Sequence, residues 1–223
     1  MGTLPTPPAV AQPAPEPRWP AVLALISTAL LNLALPKSLV IGPTWLIAML
    51  AVILLIPALI SHHMGNDQTA QWLGYAGLSV ITTSMVASLV LMVSGLMTHK
   101  ETPSQLLRSA TLLWVSNILV FASWYWRLDA GGPHMRDKRK VHTNGAFLFP
   151  QMTLEPAMRK EMCGPHWRPG FVDYLFLAFN TSTAFSPTDV PVLSRWAKGL
   201  MMVQAAISLA TLALLAARAV NIL

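Results

Sequence analysis

From Trp19 onward the chain alternates long apolar blocks with short polar punctuation, and four blocks come first: 19–35, 39–60, 72–97 and 106–126. A hydrocarbon core of ~30 Å takes about 20 helical residues at ~1.5 Å each. The last three blocks are therefore long enough to span, and the first spans where the bilayer thins. The breaks carry turn chemistry: Pro36-Lys37 and Gly42-Pro43, the polar stretch 61–67, and the charged stretch 99–103.

After the fourth block the pattern changes. Residues 129–169 are polar, with an apolar patch at 145–152 closed by Pro150, which reads as an interfacial or back-packed segment. The apolar stretch 171–185 would be only ~22 Å long as a helix. Hydroxyls, a proline and a carboxylate follow it at once, and 192–220 is then long enough to span with tilt. Irregular polar backbone at membrane depth is tolerated only where protein buries it or water reaches it.

The pattern predicts an all-α integral membrane protein with four clear transmembrane helices, a short re-entrant or thin-spanning segment and a long C-terminal helix. Its regions are a Pro-rich tail at 1–18, expected to be disordered; a four-helix transmembrane region at 19–128; a basic polar loop at 129–169; and a short pore-like helix, turn and final transmembrane helix at 170–223.

Composition supports a lipid environment: 54% of the 223 residues are hydrophobic, 11% are charged, and mean hydropathy is +0.52. The bilayer is the expected partner and a multi-pass cell-membrane location follows. Net charge is +6, but the cations sit between apolar blocks, where they act as headgroup and topology signals and do not point to nucleic acid. The single cysteine, Cys163, forms no disulfide within the chain. The six histidines lie outside the apolar blocks, so neither metal nor cofactor is expected. No nucleophile elbow, His-Glu-x-x-His or phosphate-cradling glycine loop is present, and no Asp, Glu, Lys or Arg lies deep in the first four blocks, as a proton relay would require. The expectation is a protein that is not an enzyme.

Two helices carry polar marks. Gln204, Ser208 and Thr211 form one stripe on the last helix, with Arg218 continuing it, and Ser109, Ser116 and Ser123 recur every seventh residue on the fourth, with Asn117 beside the middle one. Two readings stand: close helix packing through interhelical hydrogen bonds, or a water-lined path.

The stretches 119–133, 147–152, 171–191 and 195–204 resemble a group of uncharacterised bacterial integral membrane proteins, which implies a helical bundle in the bacterial inner membrane. A weaker resemblance is to the potassium-channel pore module. Set against Thr-x-Thr-Thr-Val-Gly-Tyr-Gly-Asp-Ile, the stretch 181–190 aligns Thr181, Thr183, Asp189 and Val190 without gaps. Ser186 and Thr188 stand at the glycine places and Pro187 at the aromatic place, which removes the backbone freedom a carbonyl ladder needs. The resemblance implies an ion pathway through Thr181, Ser182, Thr183, Ser186, Thr188 and Asp189, and a homo-oligomer, four copies in the channel pattern. The alternative is local: Ser186-Pro187-Thr188-Asp189 has the form of a helix start, or Thr188 or Asp189 caps a helix beginning near Val190. The protein would then be a structural or partner-binding membrane protein with no transport activity.

Residues 129–169 hold seven Lys and Arg against four acids, and the positive-inside rule places them in the cytoplasm, whereas a potassium-channel pore loop is entered from outside. In a Cys163→Ser background, an impermeant thiol reagent applied to intact cells should label Thr102→Cys and leave Thr143→Cys unlabelled. Labelling at position 143 would reverse the orientation.

Overall fold

The computed structural model describes residues 16–95, 102–139, 145–164, 167–183 and 190–220. Among them the chain is helical, in the order α1 (Trp19–Leu33), α2 (Trp45–His63), α3 (Asp67–Gly95), α4 (Pro103–Leu128), α5 (Pro133–Lys138), α6 (Pro150–Thr153), α7 (Pro156–Cys163), α8 (Phe171–Thr183) and α9 (Arg195–Val220). Four helices, α2, α3, α4 and α9, are long and apolar enough to cross a membrane. These are not the four blocks that come first in the chain. α1 has 15 residues, ~22 Å at helical rise, because Pro20 stands in its first turn and Pro36 follows soon after its end.

Side-chain contacts set the direction of each helix. The Arg18 guanidinium, before α1, lies 2.7 Å from His62 Nδ1 at the end of α2, and the same nitrogen lies 3.0 Å from the Asp67 carboxylate at the start of α3. Tyr174 in the first turn of α8 reaches Asp129 just past α4 (2.6 Å), and the Phe147 ring touches both Tyr174 and Trp196 at the start of α9. The starts of α1, α3, α8 and α9 and the ends of α2 and α4 thus share one end of the bundle, together with the basic segment after α4. α8 and α9 consequently run parallel to each other and antiparallel to α4, which packs against α1, α3, α8 and α9.

α4 is defined at both ends. Thr102 and Gln105 form a reciprocal capping box at its start. At its other end the chain turns through Ala130, Gly131 and Gly132, all with positive φ. A Cβ at Gly132 would lie 2.8 Å from the Arg127 carbonyl oxygen, so only glycine fits there. This turn brings α5 back beneath α4, where Arg136 donates to the carbonyl of Trp126 (2.7 Å) at the helix end and to that of Asp129 (2.9 Å), which also accepts from the Gly132 N–H.

Arg136 is buried, its side chain 2% exposed, and its charge is met by Glu16, which accepts from Nε (3.1 Å) and Nη2 (2.9 Å). Trp126 Nε1 also donates to Glu16, and the Arg136 guanidinium lies over the Tyr174 ring at 5.3 Å. Asp129, wholly buried, accepts from Tyr174 and from the Ala146 backbone N–H. Pattern groups Glu16 with the Pro-rich tail, yet it supplies the anion for a buried cation more than a hundred residues away. Removing one partner of a buried pair strands the other charge, at about 3–5 kcal/mol, while a partly exposed pair is worth about 0–1 kcal/mol. Glu16→Ala should therefore lower the unfolding temperature in detergent far more than Asp137→Ala, whose carboxylate meets Arg18 at 3.5 Å in a partly exposed network.

Candidate functional site

Just before α8, Gly170 donates its N–H to the Asp173 side chain (2.8 Å), an acid reaching back over the first turn. Tyr174, Leu177, Ala178, Thr181 and Ser182 form its buried face. Val172, Phe176 and Phe179 form an exposed apolar face. Thirteen residues carry the helix ~20 Å along the bundle. Its last turn therefore lies beside the middles of α4 and α9, at Asn117 and Gln204.

A helix that stops among other helices leaves its final carbonyls without intrahelical donors. α9 supplies them. Ser208 Oγ donates to the Ser182 carbonyl at 2.6 Å, and Gln204 Nε2 donates to the Ala178 carbonyl at 2.7 Å and to Ser182 Oγ at 2.8 Å. α4 completes the junction: the Tyr125 hydroxyl donates to Gln204 Oε1, and Asn117 Nδ2 donates to the Gln204 carbonyl (3.2 Å) and approaches Ser182 Oγ (3.5 Å). Gln204, Ser208, Thr211, Asn117, Ser182 and Tyr125 are all fully buried.

The polar stripe of the last helix thus turns inward, onto α8 and α4. Gln204 and Ser208 bridge helices, whereas Thr211 bonds back to the carbonyls of Ile207 (3.0 Å) and Ser208 (2.8 Å) on its own helix. Of the six pathway candidates, Ser182 joins this junction. Thr181 and Thr183 turn their hydroxyls onto the carbonyls of Leu177 (2.8 Å) and Phe179 (3.0 Å), one helical turn back. Ser186, Thr188 and Asp189 lie outside the described residues, as does Pro187. Ser109, Ser116 and Ser123 are buried on α4, and Ser123 bonds back to Leu119 at 2.8 Å.

α9 starts at Arg195, with Ser194 Oγ accepting from the Ala197 N–H at 3.3 Å, and not near Val190. Residues 191–193 are held extended beside 146–148 by Leu148 N to Pro191 O (3.0 Å) and Leu193 N to Ala146 O (2.8 Å), which postpones the helix. Tyr125 is the junction member that pattern reading misses. An aromatic in a transmembrane block reads as apolar bulk, and only its pairing with Gln204 reveals the hydroxyl's use.

No protein family, curated protein or solved structure matches this chain.

Interhelical hydroxyl bonds in membrane bundles contribute about 0.6 kcal/mol on average, whereas orphaning a buried polar group costs about 1–3 kcal/mol. Gln204→Leu strands Tyr125 and Ser182 together, so it should destabilise the bundle by about 2 kcal/mol, against less than about 1 kcal/mol for Ser208→Ala. Equilibrium unfolding in mixed micelles measures both, and equal effects would contradict the bridging role of Gln204.

Proposed function

We propose that α8 is a re-entrant half-helix of a non-enzymatic, multi-pass protein of the bacterial inner membrane, and that the segment after it forms a degenerate, weakly cation-conducting pore when copies assemble. The observation that carries this reading is directional. α8 and α9 start from the same end of the bundle and run parallel, with Gln204 beside Ala178 and Ser182. Pro191 and Leu193 already pair with Leu148 and Ala146 at the starting end, so the eight steps from Thr183 to Pro191 have to cover the depth that α8 gained, and at about 3.3 Å each they can. A short helix, a polar return and a long helix are the parts of the channel module that 181–190 resembles.

Electrostatics favours a cation at that return. The C-terminal end of α8 carries partial negative charge toward residue 184, and Asp189 adds a full charge. In a symmetric assembly the Asp189 carboxylates form a ring that concentrates cations, while Ser186, Pro187 and Thr188 replace the glycines and aromatic that a selective carbonyl ladder needs. The apolar face Val172, Phe176, Phe179 points outward, toward lipid or a neighbouring copy. The positive-inside rule puts the basic end, and so the mouth, in the cytoplasm, opposite to the potassium channel.

A second reading has its own observation. Gln204, Ser208 and Thr211 face protein and line no open path among the described residues, which suits a structural or partner-binding membrane protein without transport. Reconstituted liposomes separate the two. The channel-like reading expects a small cation flux with little preference for potassium over sodium, reduced by Asp189→Asn, with the reduction blunted by salt as screening shortens to about 8 Å near 0.15 M. Folded, correctly inserted protein that passes no more cation than empty liposomes supports the second reading.

A further inference from the structure

We infer that the outward-facing cleft between α1, α2 and α3 is a binding site for an anionic phospholipid, with Arg127 holding the headgroup phosphate and the apolar walls holding an acyl chain. The walls are apolar throughout, formed by residues that include Ala29, Leu55 and Gly77, and Ile26, Leu30 and Val52 stand on its exposed rim. One cation, Arg127 near the end of α4, closes this cleft and also lines the hollow next to it, beside Arg18, His62, Asp67 and His134.

The position of Arg127 is the unusual feature. An arginine at a helix end commonly extends toward the headgroups. Here the guanidinium lies inward over Gly74, where a Cβ would stand 2.0 Å from Nη1, so the absent side chain of Gly74 is what admits it. Gly74 is seven residues into α3 from Asp67, ~10 Å along the helix. Among the described residues the Arg127 side chain meets no carboxylate and makes no hydrogen bond, its Nε is buried without a partner, and its Cζ lies 5.6 Å from the Trp126 ring. The nearby acids are engaged elsewhere: Asp67 with His62, His134 and Arg18, and Asp137 with Arg18 and Arg168. Arg127 is half-buried, and a cation drawn partly out of water without an anion is costly. A phosphate carrying acyl chains meets both demands, because its oxygens suit the guanidinium fork and its tail suits the cleft.

This inference requires the chain to lie in a bilayer, but it is independent of the pore reading: lipid preference and cation flux are read separately, and either can fail alone. Native mass spectrometry of the full chain in detergent, titrated with phosphatidylglycerol or phosphatidylcholine of identical chains, gives the test. One guanidinium contact should favour the anionic lipid by about fivefold. Arg127→Gln should abolish that preference. Ala48→Phe, which fills the cleft and spares the cation, should weaken binding of both lipids. Glycerol 3-phosphate should not compete. Equal binding of the two lipids to the unmodified protein, a preference retained in Arg127→Gln, or competition by glycerol 3-phosphate as strong as by the lipid would each overturn the assignment. Should Arg127→Gln not fold, Ala48→Phe decides, and undiminished binding there would also overturn it.

Discussion

Backbone polar groups buried among helices must find partners, and the end of α8 is where this fold meets that demand. A thirteen-residue helix lying between longer ones ends beside their middles, so its carbonyls cannot be left to water. Gln204 and Ser208 answer from α9, and Tyr125 and Asn117 of α4 hold Gln204 in place. Gln204 is central because both ends of its amide are used: Nε2 holds Ala178 and Ser182, and Oε1 receives Tyr125. The same contacts that satisfy α8 therefore fix its depth, its direction and its register against α9.

The basic end of the bundle solves a parallel problem with charge. Arg136 feeds the free carbonyls at the end of α4, lies over Tyr174 and is neutralised by Glu16, while Asp129 takes the Tyr174 hydroxyl. Three distant stretches of chain meet there: the segment before α1, the end of α4 with α5, and the start of α8. Buried ion pairs add little net stability compared with apolar packing, but breaking one is expensive. Such a cluster penalises alternative arrangements of these ends. With α8 anchored at its start by Asp129 and near its end by Gln204, it is held at two points ~12 Å apart along its axis.

Arg127 and Arg136 stand nine residues apart and face opposite situations. Arg136 is enclosed by protein acceptors, and Arg127 lies over a glycine at the head of an apolar cleft with no acceptor among the described residues. The turn at Ala130 to Gly132 sends one back under α4 and leaves the other against α3.

The all-helical class and the apolar blocks were legible in the sequence because helix formation in lipid is a local matter: length, hydropathy and proline positions suffice, and each backbone bond closes within its own segment. Legible too were the shortness of 171–185 and the stripe of Gln204, Ser208 and Thr211, since periodicity alone reveals them. What that stripe faces was not, because a polar face looks the same whether it lines water or another helix. Tertiary structure turned it toward Ser182 and Asn117, brought Tyr125 into the junction, and recruited Glu16 from the Pro-rich tail to Arg136. It also moved the start of α9 to Arg195, since Pro191 and Leu193 pair with the backbone of Leu148 and Ala146. These outcomes share one physical cause. Each depends on a partner tens of residues away, and the free energy that selects it, satisfying a buried charge or carbonyl, exists only once the helices have packed.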